Sequence, residues 1–346
     1  MRIFKLMLAA VLIAAPMAAT PALAQRVNRV DTEAEAQKLL ADVIAWSAPY
    51  NQVMADNNTF GLEMIDVVTE AMGPERKGPE GRAWIQAWLI KADAEVARQK
   101  TAIAALPQMP AELERRYRTL GPDAVRQVEG FKSLPGIARG VIDESETLLN
   151  RLRPVLLKAA AGDDSAKVEV ARHMLAGTRL AIRNENAMLD LSVVMANRSD
   201  HPQVALSKSA KATNEAMMLA LEYLERQINE EDPDPIATGK AMQAKVAIGR
   251  QEALKAWPSA RKIRGEFSVI LPEGPFRTAI FSALDTMEES GRVEVAVTDL
   301  LGKIADRLAS GETDMDPEGK VFEGIEPLVD RRAALFEQRV NLFKQR

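Results

Sequence analysis

The stretch 165-SAKVEVARHMLAGTRLAIRNENAMLDLSVVMANRSDHPQVALSKSAKATNEAMMLALEYLERQINE-230 decides the fold. It indicates two long helices that fold back on each other at Ser199-Asp200-His201-Pro202, with Asp200 as the expected cap of the second helix. Along each half, apolar or small residues recur at alternating spacings of four and three, the period of a seam between supercoiled helices. The two stripes are Val170, Met174, Gly177, Ala181, Asn184, Met188, Leu191 and Met195, and Leu206, Ala210, Thr213, Met217, Ala220 and Leu224.

The two stripes also match each other across the turn. Antiparallel partners have residue numbers that add up to a constant, and here that constant is 401 for six successive pairs. This register predicts that Leu191 faces Ala210 and that Gly177 faces Leu224, so that a small residue lies opposite a large one. The sequence therefore predicts a long antiparallel hairpin at 165–230 as the central element.

The first 24 residues have the pattern of a secretory signal peptide. Arg2 and Lys5 precede an apolar run, and Ala22-Leu23-Ala24 supplies the small residues of a cleavage site. The apolar run is shorter than the roughly 20 residues that a spanning helix needs. We therefore expect a periplasmic protein whose mature chain begins at Gln25 and contains no transmembrane segment.

The composition favours helices and excludes several chemistries. Hydrophobic residues make up 47% of the chain and aromatic residues only 5%, while good helix formers such as Ala, Leu, Glu, Lys and Arg are frequent. The chain has no Cys, which excludes disulfides, thiolate nucleophiles and Cys-based metal sites. The formal charge is −4, and acidic and basic residues are interspersed, which argues against nucleic acid as a partner.

The rest of the mature chain indicates further helices joined by short turns. Four of them, at 136–161, 165–198, 202–230 and 236–257, are predicted to form an up-down-up-down bundle, because short connections make neighbours antiparallel. Pro49 is expected to kink or break an upstream helix, and Gly121-Pro122-Asp123 to separate two helices.

The predicted fold is therefore all-α, an elongated antiparallel helical bundle around the 165–230 hairpin. The predicted parts are a signal peptide at 1–24, an N-terminal helical region at 25–134, a four-helix bundle at 135–264 and C-terminal helices packing on the bundle at 265–346.

Four residues of the first hairpin helix are candidates for ligand binding. Arg172, Arg179 and Arg183 lie near one face, and Arg side chains bind carboxylate or phosphate groups through paired hydrogen bonds. The same residues also fit a solvated outer face or ion pairs to a neighbouring helix. Asn184 falls on the predicted seam, where it either fixes the register of the helices or contributes to a ligand pocket.

Trp84 and Trp88 are candidates for recognition of a sugar or a peptide, because they lie one helical turn apart. The alternative is that they anchor the core of a protein with few aromatic residues, in which case each indole NH needs a partner or access to solvent.

No complete catalytic or metal site is expected. Met174, Met188, Met195 and Met217 lie on the seam and could offer thioethers to Cu(I), but methionine more often fills helical cores. Two His residues give little material for a catalytic triad, and there is no phosphate-binding loop. Carboxylates are plentiful, so an unmarked catalytic pair stays open. We expect no cofactor.

These features predict a non-catalytic interaction or scaffold protein of the cell envelope, whose partner is another envelope protein or a second copy of the chain. The alternative is a periplasmic helical bundle that binds a small ligand or a metal, with a pocket near Asn184. A pocket with converging polar groups would favour the alternative, and an exposed apolar stripe would favour the scaffold.

Overall fold

The computed structural model describes residues 33–119, 122–163, 165–196, 199–271, 273–317 and 320–344. The predicted signal peptide and its cleavage site before Gln25 lie outside these residues. The described chain is 88% helical and contains no strand, which confirms the all-α class. Its helices are α1 (Glu33–Ala71), a 3-10 turn (Pro74–Arg76), α2 (Gly78–Ala104), α3 (Ala111–Arg118), α4 (Pro122–Ala160), α5 (Ala166–Ala196), α6 (Pro202–Ile228), α7 (Pro235–Ile270), α8 (Pro275–Ala309) and α9 (Lys320–Lys344).

The predicted hairpin is present as α5 and α6. His201, and not the expected Asp200, caps α6: its Nδ1 accepts a hydrogen bond of 3.1 Å from the backbone NH of Gln203. Asp200 instead pairs with Lys262 Nζ on α7 at 2.6 Å. Pro202 occupies the first turn of α6. Its lack of an NH costs nothing there, because the NH groups of the first turn have no acceptor within the helix.

Hydrogen bonds between the two helices measure the register of the hairpin. Lys211 pairs with Asp190 and Arg172 with Asn229, and both pairs have residue numbers that add up to 401. Asn214 bonds to Glu185, which is within two residues of the same register. The antiparallel alignment inferred from the turn therefore holds along most of α5.

The predicted contact face of α5 is wrong. Leu175 and Ile182 pack with Met217 and Leu221 of α6, whereas the predicted stripe faces α1 and α4 along much of its length. A Cβ atom on Gly177 would meet the Leu148 side chain of α4 at 2.6 Å, so Gly177 packs closely but not against Leu224. The reason is that α5 is buried on two sides, so two of its faces carry apolar stripes and the period alone does not separate them.

Three helices are longer than the sequence predicted. Pro49 lies inside α1, Pro135 and Pro154 lie inside α4, and Pro258 lies inside α7. A proline in a helix interior costs roughly 3 kcal/mol, but each of these helices buries apolar residues over 36 residues or more. Packing along the whole helix therefore outweighs the local cost, and the expected breaks do not form.

The helices form two groups that share the hairpin. The N-terminal helix group (α1–α5) has a core in which α1, α2, α4 and α5 meet, and the C-terminal helix group (α6–α9) has a core to which α5 also contributes. A third apolar cluster joins one end of the N-terminal helix group to α6, α7 and α8. The predicted four-helix bundle is corrected accordingly: α4 packs on α1, α2, α3 and α5, whereas α7 packs on α6 and α8.

The boundaries predicted at 134/135 and 264/265 fall inside the continuous helices α4 and α7. None of the helices in the described part of the chain has an apolar stretch long enough to cross a membrane.

Candidate functional site

A cavity lies between α1, α4 and α5, and we call it the central cavity. Its volume is about 100 Å³. Small residues leave space where α1 and α5 flank α4, and those that line the cavity are Gly61, Ser145, Gly177 and Ala181. The other lining residues are Met54, Asn57, Met64, Ile65, Val141, Glu144, Leu148, Met174, Leu180, Asn184, Glu185 and Met188.

The walls of the central cavity are mostly apolar, and four of the lining residues are methionines. Met54 and Met64 are ten residues apart on α1, which corresponds to about 15 Å along a helix. Met174 and Met188 on α5 are separated by about 21 Å on the same basis. A single metal ion therefore does not reach all four thioethers, and the methionines serve as adaptable apolar walls.

A second cavity of about 230 Å³ adjoins the first and shares Ile65 and Met174 with it. Its other lining residues are Val68, Thr69, Met72, Lys167, Val170 and Ala171. The two cavities together follow the gap between α1 and α5, so the available space is longer along the helices than across them.

Glu144 of α4 is the main polar group of the central cavity. Asn184 Nδ2 donates a hydrogen bond to Glu144 Oε2. Burial raises the pKa of Glu144 to about 7, and the neighbouring Asp143 adds to the rise, while Arg183 opposes it. Near neutral pH both the protonated and the ionised form of this carboxyl group are therefore populated.

Asn57 of α1 contributes a second polar group. Only 3% of its surface is exposed, and its Oδ1 has no hydrogen-bond partner. A buried amide oxygen without a partner costs about 1–3 kcal/mol. Such an atom on a cavity wall is satisfied when a molecule in the cavity donates a hydrogen bond to it.

Glu185 lines the central cavity but is tied to the opposite side of α5. Its Oε2 accepts a hydrogen bond of 2.8 Å from Asn214 Nδ2 on α6, and its Oε1 accepts one of 3.2 Å from Arg332 Nη2 on α9. Arg332 Nε also pairs with Glu294 of α8 at 2.9 Å. Burial raises the pKa of Glu185 to about 7 despite the attraction of Arg332.

Arg339 completes this buried ionic cluster. The side chain is buried, and burial together with repulsion from Arg332 lowers its pKa to about 10. The cluster of Glu185, Glu294, Arg332 and Arg339 therefore links α5, α8 and α9 within the C-terminal core.

The three predicted arginines do not gather around one ligand site. Arg172 Nε donates a hydrogen bond of 3.0 Å to Asn229, and Arg179 pairs with Glu225, so both turn towards α6. Arg183 is exposed and acts on the central cavity through its charge near Glu144. Asn184, the fourth predicted residue, lies in the cavity wall, so of the four only Asn184 and Arg183 are near the same group.

The two predicted tryptophans lie in different environments. Trp88 is buried in the N-terminal core, and its Nε1 donates a hydrogen bond of 3.1 Å to Glu63 on α1. Trp84 is half-buried, with the guanidinium of Arg76 at 4.2 Å from the ring centre. Trp88 thus has the partner that a core indole needs, and recognition by either residue stays a prediction.

No pattern in the sequence distinguishes Glu144, Asn57 or Glu185 from exposed polar residues. A carboxylate or an amide in a charged helix is usually exposed, and only the approach of other helices buries these three. Among the described residues, no three His, Asp or Glu side chains are grouped so that they could hold a metal ion.

Comparisons with protein-family models, with curated proteins and with solved structures find no match to this chain.

Proposed function

We propose that the chain is a non-catalytic binding protein of the cell envelope that holds a small, mostly apolar ligand in the central cavity. The observation that carries this proposal is the combination of apolar walls with three polar residues, Glu144, Asn184 and Asn57, that line the same cavity. Small-molecule sites typically combine apolar walls with a few placed polar groups that orient the ligand. The envelope location rests on the predicted signal peptide.

The scaffold function has less support from the surface. Among the residues whose side chains the structure describes, the exposed large hydrophobic residues are spread over α2, α5 and α7, and they are Ile90, Val168, Ile236, Ile248, Leu254 and Val269. The four on α7 are distributed over more than 30 residues, so they form isolated exposed side chains, as on ordinary protein surfaces, and no continuous stripe.

A two-carboxylate hydrolase also has less support. Glu144 and Glu185 line the same cavity, but both oxygens of Glu185 are engaged by Asn214 and Arg332 on the far side of α5. A catalytic pair needs two carboxyl groups that face the same substrate bond. Glu144 alone supports binding and does not supply such a pair.

Binding of the neutral fluorescent probe N-phenyl-1-naphthylamine, whose two aromatic groups need the central cavity and the adjoining cavity together, tests the proposal. The variant Ala181→Leu places a larger side chain in the cavity wall, and the control Ala187→Leu makes the same change at an exposed position of α5. We expect saturable binding by the natural chain and by Ala187→Leu. We expect about tenfold weaker binding by Ala181→Leu, which corresponds to the loss of about 1.4 kcal/mol of binding free energy.

Equal affinity of Ala181→Leu and Ala187→Leu would show that the probe binds elsewhere. Absence of saturable binding by the natural chain would contradict the proposed function itself. Circular dichroism of both variants checks that each keeps the helical content of the natural chain.

A further inference from the structure

We propose that the ligand of the central cavity carries a protonated amine, held by Glu144 and Asn57, on an apolar body. This inference rests on the proposed binding function and names the chemical class of the ligand. It follows from the hydrogen-bonding capacity of the cavity wall, from the charges that face the cavity, and from its shape.

The hydrogen-bonding groups of the cavity wall favour a ligand that donates hydrogen bonds. Asn57 Oδ1 is buried and lacks a donor, and a carboxylate such as Glu144 has room for several more hydrogen bonds than the single one from Asn184. Both groups are acceptors, so the complementary ligand group is a donor. An ammonium group offers up to three NH donors and no acceptor.

The charged side chains of the cavity wall favour a cationic ligand. The ionisable side chains among the lining residues are Glu144 and Glu185, and both are acidic. Glu185 is balanced by Arg332, which leaves Glu144 to face the cavity. A bound carboxylate would be repelled by Glu144 and would leave Asn57 Oδ1 without a hydrogen bond. A bound ammonium group balances the charge of Glu144 and donates a hydrogen bond to Asn57 Oδ1.

Neighbouring charges affect the ionisation of Glu144. Arg183 on α5 favours its ionised form, and Asp143 on α4 disfavours it. Asp143 lies 4.0 Å from Lys100 of α2, which also pairs with Glu146. On α1 the cavity presents Asn57, methionines and aliphatic side chains, and no ionisable group among its lining residues. Glu144 is thus the group whose charge state changes when a cation enters.

The shape of the cavity sets the rest of the ligand. Methionine and aliphatic side chains line the space on both sides of Glu144, and the adjoining cavity continues along α1 and α5. An aliphatic amine with a slender chain fits this arrangement better than a polyamine, whose further charges would lie against apolar walls without partners.

The proposal predicts a distinctive pH dependence. An aliphatic ammonium group, like that of lysine, stays protonated below a pH of about 10. The carboxyl group of Glu144 ionises as the pH rises through about 7. The affinity for an amine should therefore rise about tenfold between pH 6 and pH 8, because the ionised fraction of a group with that pKa rises by about this factor.

The test is displacement of N-phenyl-1-naphthylamine by n-octylamine, octan-1-ol and octanoate at pH 6 and pH 8. These three competitors share the chain length and differ in the head group. The variants are Glu144→Gln, which keeps the shape of the side chain, and Glu146→Gln, a control on the same helix whose carboxylate pairs with Lys100. Octylamine should bind at least about tenfold more tightly than the other two at pH 8, with the pH dependence lost in Glu144→Gln and kept in Glu146→Gln.

The outcomes separate the two proposals. If octanol or octanoate displaces the probe as well as octylamine does at pH 8, the inferred amine group of the ligand is contradicted. The proposed binding function is then still supported. If Glu144→Gln keeps the pH dependence of the natural chain, Glu144 does not hold the amine and the inference is overturned. If the probe itself does not bind the natural chain, both proposals fail together. The comparison of the three competitors on the natural chain does not depend on the folding of any variant.

Discussion

The two helix groups differ in what small residues pack against. In the C-terminal helix group, small residues bring helices into contact: a Cβ atom on Gly239 would lie 2.1 Å from the backbone nitrogen of Ala309, and one on Gly291 would lie 2.8 Å from the Ala256 methyl group. In the N-terminal helix group, Gly177 meets only the flexible end of the Leu148 side chain. Gly177 and Ala181 also line the central cavity, because α1 and α5 flank α4 without closing on each other.

Buried polar groups do not divide in the same way, because both helix groups contain polar atoms without a hydrogen-bond partner. In the C-terminal core, Arg332 pairs with Glu185 and Glu294 on neighbouring helices, whereas Nε and Nη1 of Arg339 have no hydrogen-bond partner. In the central cavity, Asn57 Oδ1 has none. A stripe of small residues therefore predicts close packing only where the opposite helix approaches.

The largest expected effect is in the buried ionic cluster. Arg332→Leu leaves Glu185 and Glu294 buried without their shared counter-charge, and breaking a buried pair in this way costs about 3–5 kcal/mol. The adjacent Arg331 pairs with Glu289 at an exposed position, so Arg331→Leu should cost less than about 1 kcal/mol. Urea unfolding of both variants measures the difference, and equal losses would show that the C-terminal core does not depend on this cluster.

Close helix contact in the C-terminal helix group is tested by Gly239→Ala. The added methyl group meets the backbone of α8, which cannot turn aside, so we expect a loss of about 1–3 kcal/mol. Gly265→Ala on the same helix has open space and should gain up to about 1 kcal/mol from helix propensity. Gly177→Ala meets only the Leu148 side chain beside the cavity and should lie between the two.

These three alanine variants are ranked by thermal unfolding. A Gly239→Ala protein that is as stable as Gly265→Ala would remove the distinction between the two helix groups. A Gly177→Ala protein as unstable as Gly239→Ala would show that α4 and α5 are packed as tightly as α7 and α8.

The pH dependence of stability tests Glu185, which lies between the two groups. Its pKa is about 7 in the folded chain and near 4.5 in the unfolded chain, so the folded state binds more protons between these values. Its contribution to stability is therefore present below pH 4.5 and is lost as the pH rises through 7, by up to about 1.4 kcal/mol per pH unit. Glu185→Gln should flatten this fall, as measured by urea unfolding at pH 5 and pH 8. An unchanged slope would show that Glu185 does not titrate in this range.

The smallest effect is expected for cavity filling. Ala181→Leu adds apolar volume where space exists, so its stability should stay within about 1 kcal/mol of the natural chain. The same change at Ala256, whose methyl group touches the surface of Gly291, should cost about 1–3 kcal/mol by overpacking. Differential scanning calorimetry of the two variants compares them directly, and similar losses would indicate that the central cavity does not accommodate a larger side chain.

Local features of the fold could be predicted from the sequence. The turn before Pro202 and the register of the hairpin follow from turn residues and from residue periods, and Lys211 does pair with Asp190 in that register. The helix break expected at Pro49 does not form, because the local rule omits the burial gained along a long helix.

The site was harder to predict because it depends on contacts between distant segments. Asn184 was selected because it interrupts an apolar stripe, and it does line the central cavity. Its partner Glu144 lies 40 residues earlier on α4, and nothing in the sequence around Glu144 distinguishes it from its exposed neighbour Asp143. Asn57 is buried only because α1 remains continuous through this segment.

The contact between Glu185 and Arg332 also bears on the order of folding. The two residues are 147 positions apart, and Arg332 belongs to the last helix of the chain. A chain that emerges from its N-terminus places two carboxylates, Glu185 and Glu294, in the growing core before their counter-charge exists. We therefore expect α5 and α8 to remain loosely associated until α9 docks, so that a chain truncated before Lys320 stays a target for proteases.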